Sequence, residues 1–504
     1  MSLLLEAFPQ GRPFPRALSG PVNLVVMVAA LAMVAVLVPF AGTAEARRTP
    51  KHVQAHAHKH ARGKTAPPVV GQPPRNYVMP ATSFFSFPNR TRTERKAIRD
   101  RVLYTIQSVW GGARNSLGTP LPANGTIRIA TWSFDDWGVA RALVAARNRG
   151  VSVQVVAAKA ANTDHQSWEW LRKRLGSRLF RPGHPVTGPM HSFARECRGA
   201  CRGPGGTPHS KYFLFDNVGA GHLRHVTVQT SMNLTRMAYR GQWNQAQVMH
   251  SARVYNDFAA IFRQSRLARP LPQPYHVASL GPVVNYFFPR PQAKAAQDPV
   301  MQSLRAVSCR GATAGSGTGR SSIRIIQYAI YGDRGVWIAK KLRQLWNSGC
   351  DVAIIYAVSS RPVLGILRNR SGRGAVPMRQ SVVTDPWGNI VKYNHSKWMT
   401  ITGHWGSNTA AYVTFSGSAN WANLAFGDDE QMQRIQSRPE VLRHLATFAK
   451  TWRQTTSNAP AAARVTTFAR TIGAVTQESP DGVPEGIPEE PTFGQGIYRY
   501  LPPD

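Results

Sequence analysis

Carboxylates are scarce in this chain. Its 504 residues carry 25 Asp and Glu against 62 Lys and Arg, a formal net charge of +37. Such a surface is unsuited to polycationic partners and favours polyanions: nucleic acid, an anionic membrane or a cell-wall polymer. Cysteine is scarce too, with only Cys197, Cys201, Cys309 and Cys350, and their spacings lack the paired short knuckles of structural zinc sites. Long apolar runs are almost absent. Leu24 to Phe40 is the one unbroken apolar run of that length, which excludes a multi-pass membrane protein.

That single run carries its own meaning. Arg12 and Arg16 precede it, and Ala44-Glu45-Ala46 supplies a small-x-small site after it, so residues 1–46 read as an export signal cleaved after Ala46. The run is also long enough to serve as an uncleaved anchor. Either way the protein is expected to be secreted or held at the cell surface. An even cysteine count in an oxidising compartment favours two disulfides. Pairing Cys197 with Cys201 and Cys309 with Cys350 keeps each link within one half of the chain.

Residues 47–81 form a basic linker rich in His and Pro, including His52, His56, His58 and His60 and without an acidic residue before Arg75. It has too little apolar material for a core and nothing in it fixes a ligand geometry, so a solvated tether is the expectation. Folded sequence is expected from about Thr82, with Ile98, Val102, Ile106 and Val109 at helical spacing. Hydrophobic residues make up 42% of the chain, enough for a globular protein, and the length suits two lobes rather than one core. Residues 471–504 gather Glu478, Asp481, Glu485, Glu489, Glu490 and many prolines, an acidic extended tail.

The middle of the chain is duplicated. Gly125–Ile129 (strand), Gly138–Leu143 (helix) and Gly150–Val156 (strand) reappear as Ser322–Ile326, Gly335–Leu342 and Gly349–Ile355, the βαβ pattern of a mostly parallel, buried sheet. Each copy continues into a further strand, Lys211–Phe215 or Lys397–Ile401, and then another, His225–Gln229 or Ala411–Phe415. Two α/β lobes follow, assigned to residues 82–290 and 291–470.

Chemistry-bearing residues are duplicated with the lobes. Pro208-His209-Ser210-Lys211 runs through to Asp216, with Thr230-Ser231-Met232-Asn233 after it; Asn394-His395-Ser396-Lys397 is followed by Gly417-Ser418-Ala419-Asn420. The histidines stand 186 residues apart, and Ser-x-Asn begins 22 or 23 residues after each. His and Lys two apart on a strand share one face. The chain resembles the phospholipase D superfamily, whose signature is His-x-Lys-x4-Asp followed by Gly-Ser-x-Asn, usually present twice. The first copy keeps Asp216 but has Thr230 for the glycine, and the second keeps Gly417 but has Thr402 for the aspartate.

The resemblance implies two homologous αβαβα lobes with one active site between them. It implies phosphodiester chemistry without cofactor or metal: one His forms a phosphohistidine, the other protonates the leaving group, and Lys and Asn pairs hold the non-bridging oxygens. Candidate catalytic residues are His209, Lys211, Asp216, Asn233, His395, Lys397, Asn420 and Glu430. On the family pattern Glu430 is expected to orient His395, with Gln245, or Asn244 one residue earlier, matching it for His209. A carboxylate favours a charged imidazole more than an amide does, so His209 is expected as nucleophile and His395 as general acid. Three functions fit: a phospholipase D-like enzyme on phospholipid, a nuclease of the same superfamily, or a non-catalytic binder of phosphorylated polymer. Trp398, Trp405, Trp421 and Phe426 lie beside the signatures, where they would line an acyl or base site or belong to the core. Oligomeric state is not encoded in these features.

Overall fold

In the computed structural model, residues 75–111, 125–177, 191–386 and 390–455 are described, all within one unit. The expected export signal, most of the basic linker and the acidic tail lie outside them. Order begins slightly before Thr82, because Met79 is buried with Tyr77 and Val78 packed against the same core. The helix expected over 92–110 is broken at Lys96 into Arg92–Arg95 and Ala97–Ser108, and the longer piece buries Ile98, Val102 and Ile106.

Both copies of the βαβ unit form. Thr126–Thr131 pairs in parallel with Ser152–Ala158 across the helix Trp137–Asn148, and Ser322–Ile330 pairs in parallel with Asp351–Ser359 across Gly332–Asn347. Gly150 and Gly349, at φ 99° and 97°, end the two helices in the left-handed region, where a Cβ would be strained. The sheets are mixed, however, rather than mostly parallel. After each βαβ unit the chain comes back antiparallel to its first strand and then turns again: Tyr212–Asp216 lies antiparallel to Thr126–Thr131 and to Val226–Thr230, and Lys397–Trp405 lies antiparallel to Ser322–Ile330 and to Asn408–Gly417. The links from Asp216 to Val226 and from Trp405 to Asn408 are too short for a crossover and allow only antiparallel pairing.

Among the described residues there is a nine-stranded sheet, an eight-stranded sheet and a two-stranded ribbon. Apolar side chains from the two large sheets and their helices build two large cores, one around Val102, Ile127, Leu143 and Phe213, the other around Ile325, Ile338, Leu342 and Val413, and a smaller cluster joins Tyr212 and Phe258 to Phe287 and Ile435 of the second sheet. The lobe boundary expected at residue 290 is corrected by the strand pairing. His276–Leu280 and Val283–Phe287 already belong to the second sheet, where Val283–Phe287 lies against Gln431–Gln436. In exchange, Ile390–Asn394 from the second half joins the first sheet beside Gln242 and Trp243. The lobes are therefore stitched together by shared strands. Cys197–Cys201 and Cys309–Cys350 are bonded, with sulfurs 2.07 and 1.99 Å apart. No helix among the described residues is long and apolar enough to cross a membrane.

Candidate active site at the lobe interface

The two His-Ser-Lys segments enter their strands at the seam between the lobes, and His209, Lys211, His395 and Lys397 are all buried there. Strand alternation sends Ser210 the other way, where its hydroxyl donates to the Asp429 carbonyl at 3.1 Å. Lys211 Nζ donates to the His209 carbonyl at 2.9 Å. Lys397 Nζ lies 3.1 Å from the His395 carbonyl and 2.7 Å from His395 Nε2. Each lysine Nζ also faces an aromatic ring, Trp132 just past the neighbouring strand at 5.9 Å for Lys211 and Tyr328 within the neighbouring strand at 4.9 Å for Lys397. The same rings flank the histidines, with centroid separations of 6.0 Å to His209 and 5.0 Å to His395. Such contacts hold each lysine Nζ over an aromatic face at the seam.

The imidazoles are oriented across the seam. His209 Nδ1 stands 2.6 Å from Glu430 Oε1, both side chains fully buried, and the Ser418 hydroxyl donates to the other Glu430 oxygen. His395 Nδ1 stands 3.0 Å from Asn244 Oδ1, and the Ser231 hydroxyl donates to that oxygen at 2.8 Å. The expected partners are thus crossed. Glu430 serves His209 rather than His395, because the segment following each motif asparagine runs along the other lobe's His-Ser-Lys. Gln245 does not touch an imidazole. It brackets Lys397 instead, accepting from its amide at 3.1 Å and donating to its carbonyl at 3.2 Å, as Gln431 brackets Lys211 at 3.0 Å in both directions.

Ser231 and Ser418 therefore position the histidine partners, while Asn233 and Asn420 are buried beyond them. Neither polar atom of the Asn420 amide has a hydrogen-bond partner among the described residues. A buried amide left so costs on the order of 1–3 kcal/mol, a cost that a phosphoryl oxygen at this position would offset. Asp216 does not join the cluster. It sits at the far end of its strand, paired with Arg224 at 3.0 Å and accepting the His225 amide at 3.3 Å. Thr402, its counterpart, is buried opposite Ser322. Thr230 uses its hydroxyl where a glycine was expected, donating to the Gln245 carbonyl at 2.5 Å and accepting from the Met232 amide at 3.0 Å. Trp398, Trp421 and Phe426 are core residues, and Trp405 donates its indole N–H to the Ser303 carbonyl.

Asn244 enters the sequence reading only as the alternative to Gln245, and Gln431, Trp132 and Tyr328 do not enter it as site residues. The matched pairs Asn244-Gln245 and Glu430-Gln431 were the available signal, hidden by one extra residue in the first copy: Asn233 to Asn244 is one step longer than Asn420 to Glu430.

A histidine pair held across two homologous lobes, with paired lysines and asparagines, defines a phospholipase D-type site. A family model described as "Cardiolipin synthase, PLD-like domain" matches residues 122–266 and again 317–452, more than half of the chain, and the protein belongs to this family within the phospholipase D superfamily. No curated protein sequence matches it. Similar solved structures include phosphatidylserine synthase from Haemophilus influenzae, at 11% identity, TM-score 0.44, covering 77% of this chain and 90% of that one. Polyphosphate kinase from Porphyromonas gingivalis is similar at 14% identity and TM-score 0.45, over 76% of this chain but only 54% of the kinase. Nuc from Salmonella typhimurium, a phospholipase D family member, matches at 20% identity and TM-score 0.25, over 36% of this chain and 91% of its own.

Proposed function

We propose that the protein is an exported phosphodiesterase that hydrolyses or transfers phospholipid head groups through a phosphohistidine on His209. The observation that carries this reading is the 2.6 Å contact between His209 Nδ1 and Glu430. A carboxylate at Nδ1 fixes the tautomer in which Nε2 bears the lone pair, and it stabilises the positive charge that grows on the ring as Nε2 attacks phosphorus. The bond from phosphorus to the leaving alcohol breaks, and His395 Nε2 delivers a proton to the departing oxygen. Asn244 takes the opposite N–H of His395 without adding a negative charge, so that proton leaves more readily than it would beside a carboxylate. His395, now neutral, then removes a proton from water or an acceptor alcohol, which attacks the phosphohistidine and restores His209. Lys211, Lys397, Asn233 and Asn420 hold the non-bridging oxygens throughout. The roles named from the sequence are kept on a different ground: that reading placed the carboxylate behind the acid His395, whereas Glu430 stands behind His209, where it supports the charge that grows on the nucleophile.

Phospholipid is favoured by the family's description as cardiolipin synthase, and export by the leader together with the two disulfides. The net charge of +37 equally suits a nuclease, and it makes binding to DNA uninformative. The test is a parallel assay of the mature protein on phosphatidylcholine vesicles and on single- and double-stranded DNA, with EDTA present. Choline release is expected. Strand scission in its place would move the substrate to nucleic acid, and saturable binding without turnover on either would make the protein a binder. Turnover abolished by EDTA would overturn the metal-free route.

A further inference from the structure

Arg334 and Asp298 form an ion pair with both side chains at zero exposure, Nε to Oδ2 at 3.1 Å and Nη2 to Oδ1 at 3.2 Å. A pair so deeply buried is hard to justify by stability, since desolvating two charges offsets most of their attraction. Its geometry gives it another use. The third arm of the guanidinium, Nη1, donates to the Asn420 carbonyl at 2.8 Å. On either side, Gln327 Nε2 donates to the Ala419 carbonyl at 3.2 Å and the Tyr331 amide to the Trp421 carbonyl at 3.1 Å. Three successive carbonyls around the motif asparagine are thus gripped from the end of one strand and the first turn of the following helix. The Arg334 backbone is itself fixed, its amide donating to Asn423 Oδ1 at 2.7 Å, and its guanidinium lies 4.4 Å from the Phe426 ring centroid.

We propose that Arg334, anchored by Asp298, is a positioning residue that aims the Asn420 amide at a non-bridging phosphoryl oxygen; this rests on the phosphodiesterase reading above. The Asn420 amide has no partner of its own among the described residues to set its direction, so its aim comes through the backbone that Arg334 holds. The first lobe also has a guanidinium on a buried aspartate at the start of its helix. A Cβ on Gly138, in the first turn of that matching helix, would stand 2.2 Å from Arg99 Nη2. That arginine, from another helix, grips the buried Asp136 at 2.8 and 2.9 Å. A guanidinium clamped by a buried aspartate thus recurs at the start of both helices, supplied from a different place in each sequence.

A double-mutant cycle on the full chain separates positioning from mere support. Arg334→Met, Asn420→Ala and their combination are compared for kcat/KM on a phosphodiester, and for affinity toward inorganic phosphate measured by calorimetry. Arg334→Met is expected to lower kcat/KM about 10- to 100-fold in the wild-type background and less than about 2-fold once Asn420 is Ala. Arg334→Lys, which keeps the charge but offers a point donor, should recover part of the loss. Asp298→Asn provides a milder route to the same loosening if Arg334→Met fails to fold. Equal losses in both backgrounds would overturn the proposal while leaving the phosphodiesterase reading intact. An Asn420→Ala variant with unchanged turnover and phosphate affinity would instead remove the phosphate role of Asn420, and the proposal with it.

Discussion

The two half-sites are built alike down to the bracketing glutamines and the serine behind each histidine partner, yet one imidazole leans on a carboxylate and the other on an amide. Because the surroundings match so closely, the difference isolates a single variable, the charge at Nδ1. A negative charge there favours a ring that becomes cationic and stays so, as a phosphohistidine does. A neutral acceptor favours a ring that must give its proton up and take one back. On the proposed mechanism this asymmetry, and not exposure, distinguishes the two histidines, since both are fully buried.

The strongest test of this division is to remove each ring. His209→Ala should cut turnover by at least about 10⁴-fold on every substrate, because no covalent intermediate can form. His395→Ala should cost about 10²- to 10⁴-fold on choline or nucleoside esters but far less on a p-nitrophenyl ester, whose leaving group needs little protonation. Steady-state kinetics on both ester classes measure the ratio, and equal losses on the two would remove the general-acid role from His395.

Exchanging the partners probes the comparison more finely. Glu430→Gln keeps the contact with His209 but removes its charge, and is expected to lower kcat about 10- to 100-fold with substrate affinity little changed. Asn244→Asp adds a charge beside His395, and the limb of the pH–rate profile that requires protonated His395 should move to higher pH. That variant also gives up the donation from Asn244 Nδ2 to the Ala238 carbonyl at 2.9 Å, so its position on the pH axis, rather than its maximum rate, is the quantity to read.

The same contrast between carboxylate and amide extends to stability through Asp429, one residue before Glu430. Burial pushes its carboxyl up to about 7, opposed in part by the Arg202 guanidinium and the Cys201 amide. Between about pH 4 and 7 the native chain keeps a proton that the unfolded chain has released, so stability falls as pH rises through that window and the penalty is complete above it. A shift of this size corresponds to about 4 kcal/mol. Asp429→Asn should therefore be more stable than wild type at pH 8, by up to that amount, and no more stable at pH 4. Urea denaturation of both proteins at the two pH values reads the difference, and a gain independent of pH would contradict the titration.

Local pattern made much of this legible in advance. The doubled His-Ser-Lys and Ser-x-Asn, the repeated strand-helix-strand units and the cysteine pairing within each half are all short-range features, and each appears in the fold where its residues stand. Glu430 was found as well, but its partner was not, because pairing across the seam depends on how two lobes pack and leaves no trace in the spacing of either. The swapped strands, Val283–Phe287 and Ile390–Asn394, escaped for the same reason. Arg334 was illegible on other grounds: an arginine in a helix's first turn reads as a solvated charge until the aspartate that buries it, 36 residues away, is seen.

The smallest expected effect concerns the signature position at which the two copies differ most. Asp216 belongs to the family motif, and its absence from the second copy, where Thr402 stands, would be a serious loss if the carboxylate took part in the chemistry. Its contacts say otherwise. Asp216 meets Arg224, whose side chain is 64% exposed, and it caps the turn at His225, whose φ of 62° lies in the left-handed region. An exposed pair of this kind contributes about 0–1 kcal/mol. In the second lobe the same strand end is closed without a carboxylate, with the loop at Gly315 packed against Thr402 and the Cys309–Cys350 link nearby in sequence. Asp216→Asn should consequently lower stability by no more than about 1 kcal/mol and leave kcat/KM within about 3-fold of wild type. Thermal unfolding and kinetics on one preparation check both numbers. A loss of about 100-fold or more in kcat/KM, with stability unchanged, would put the carboxylate back in the mechanism and make the Thr402 lobe the impaired half.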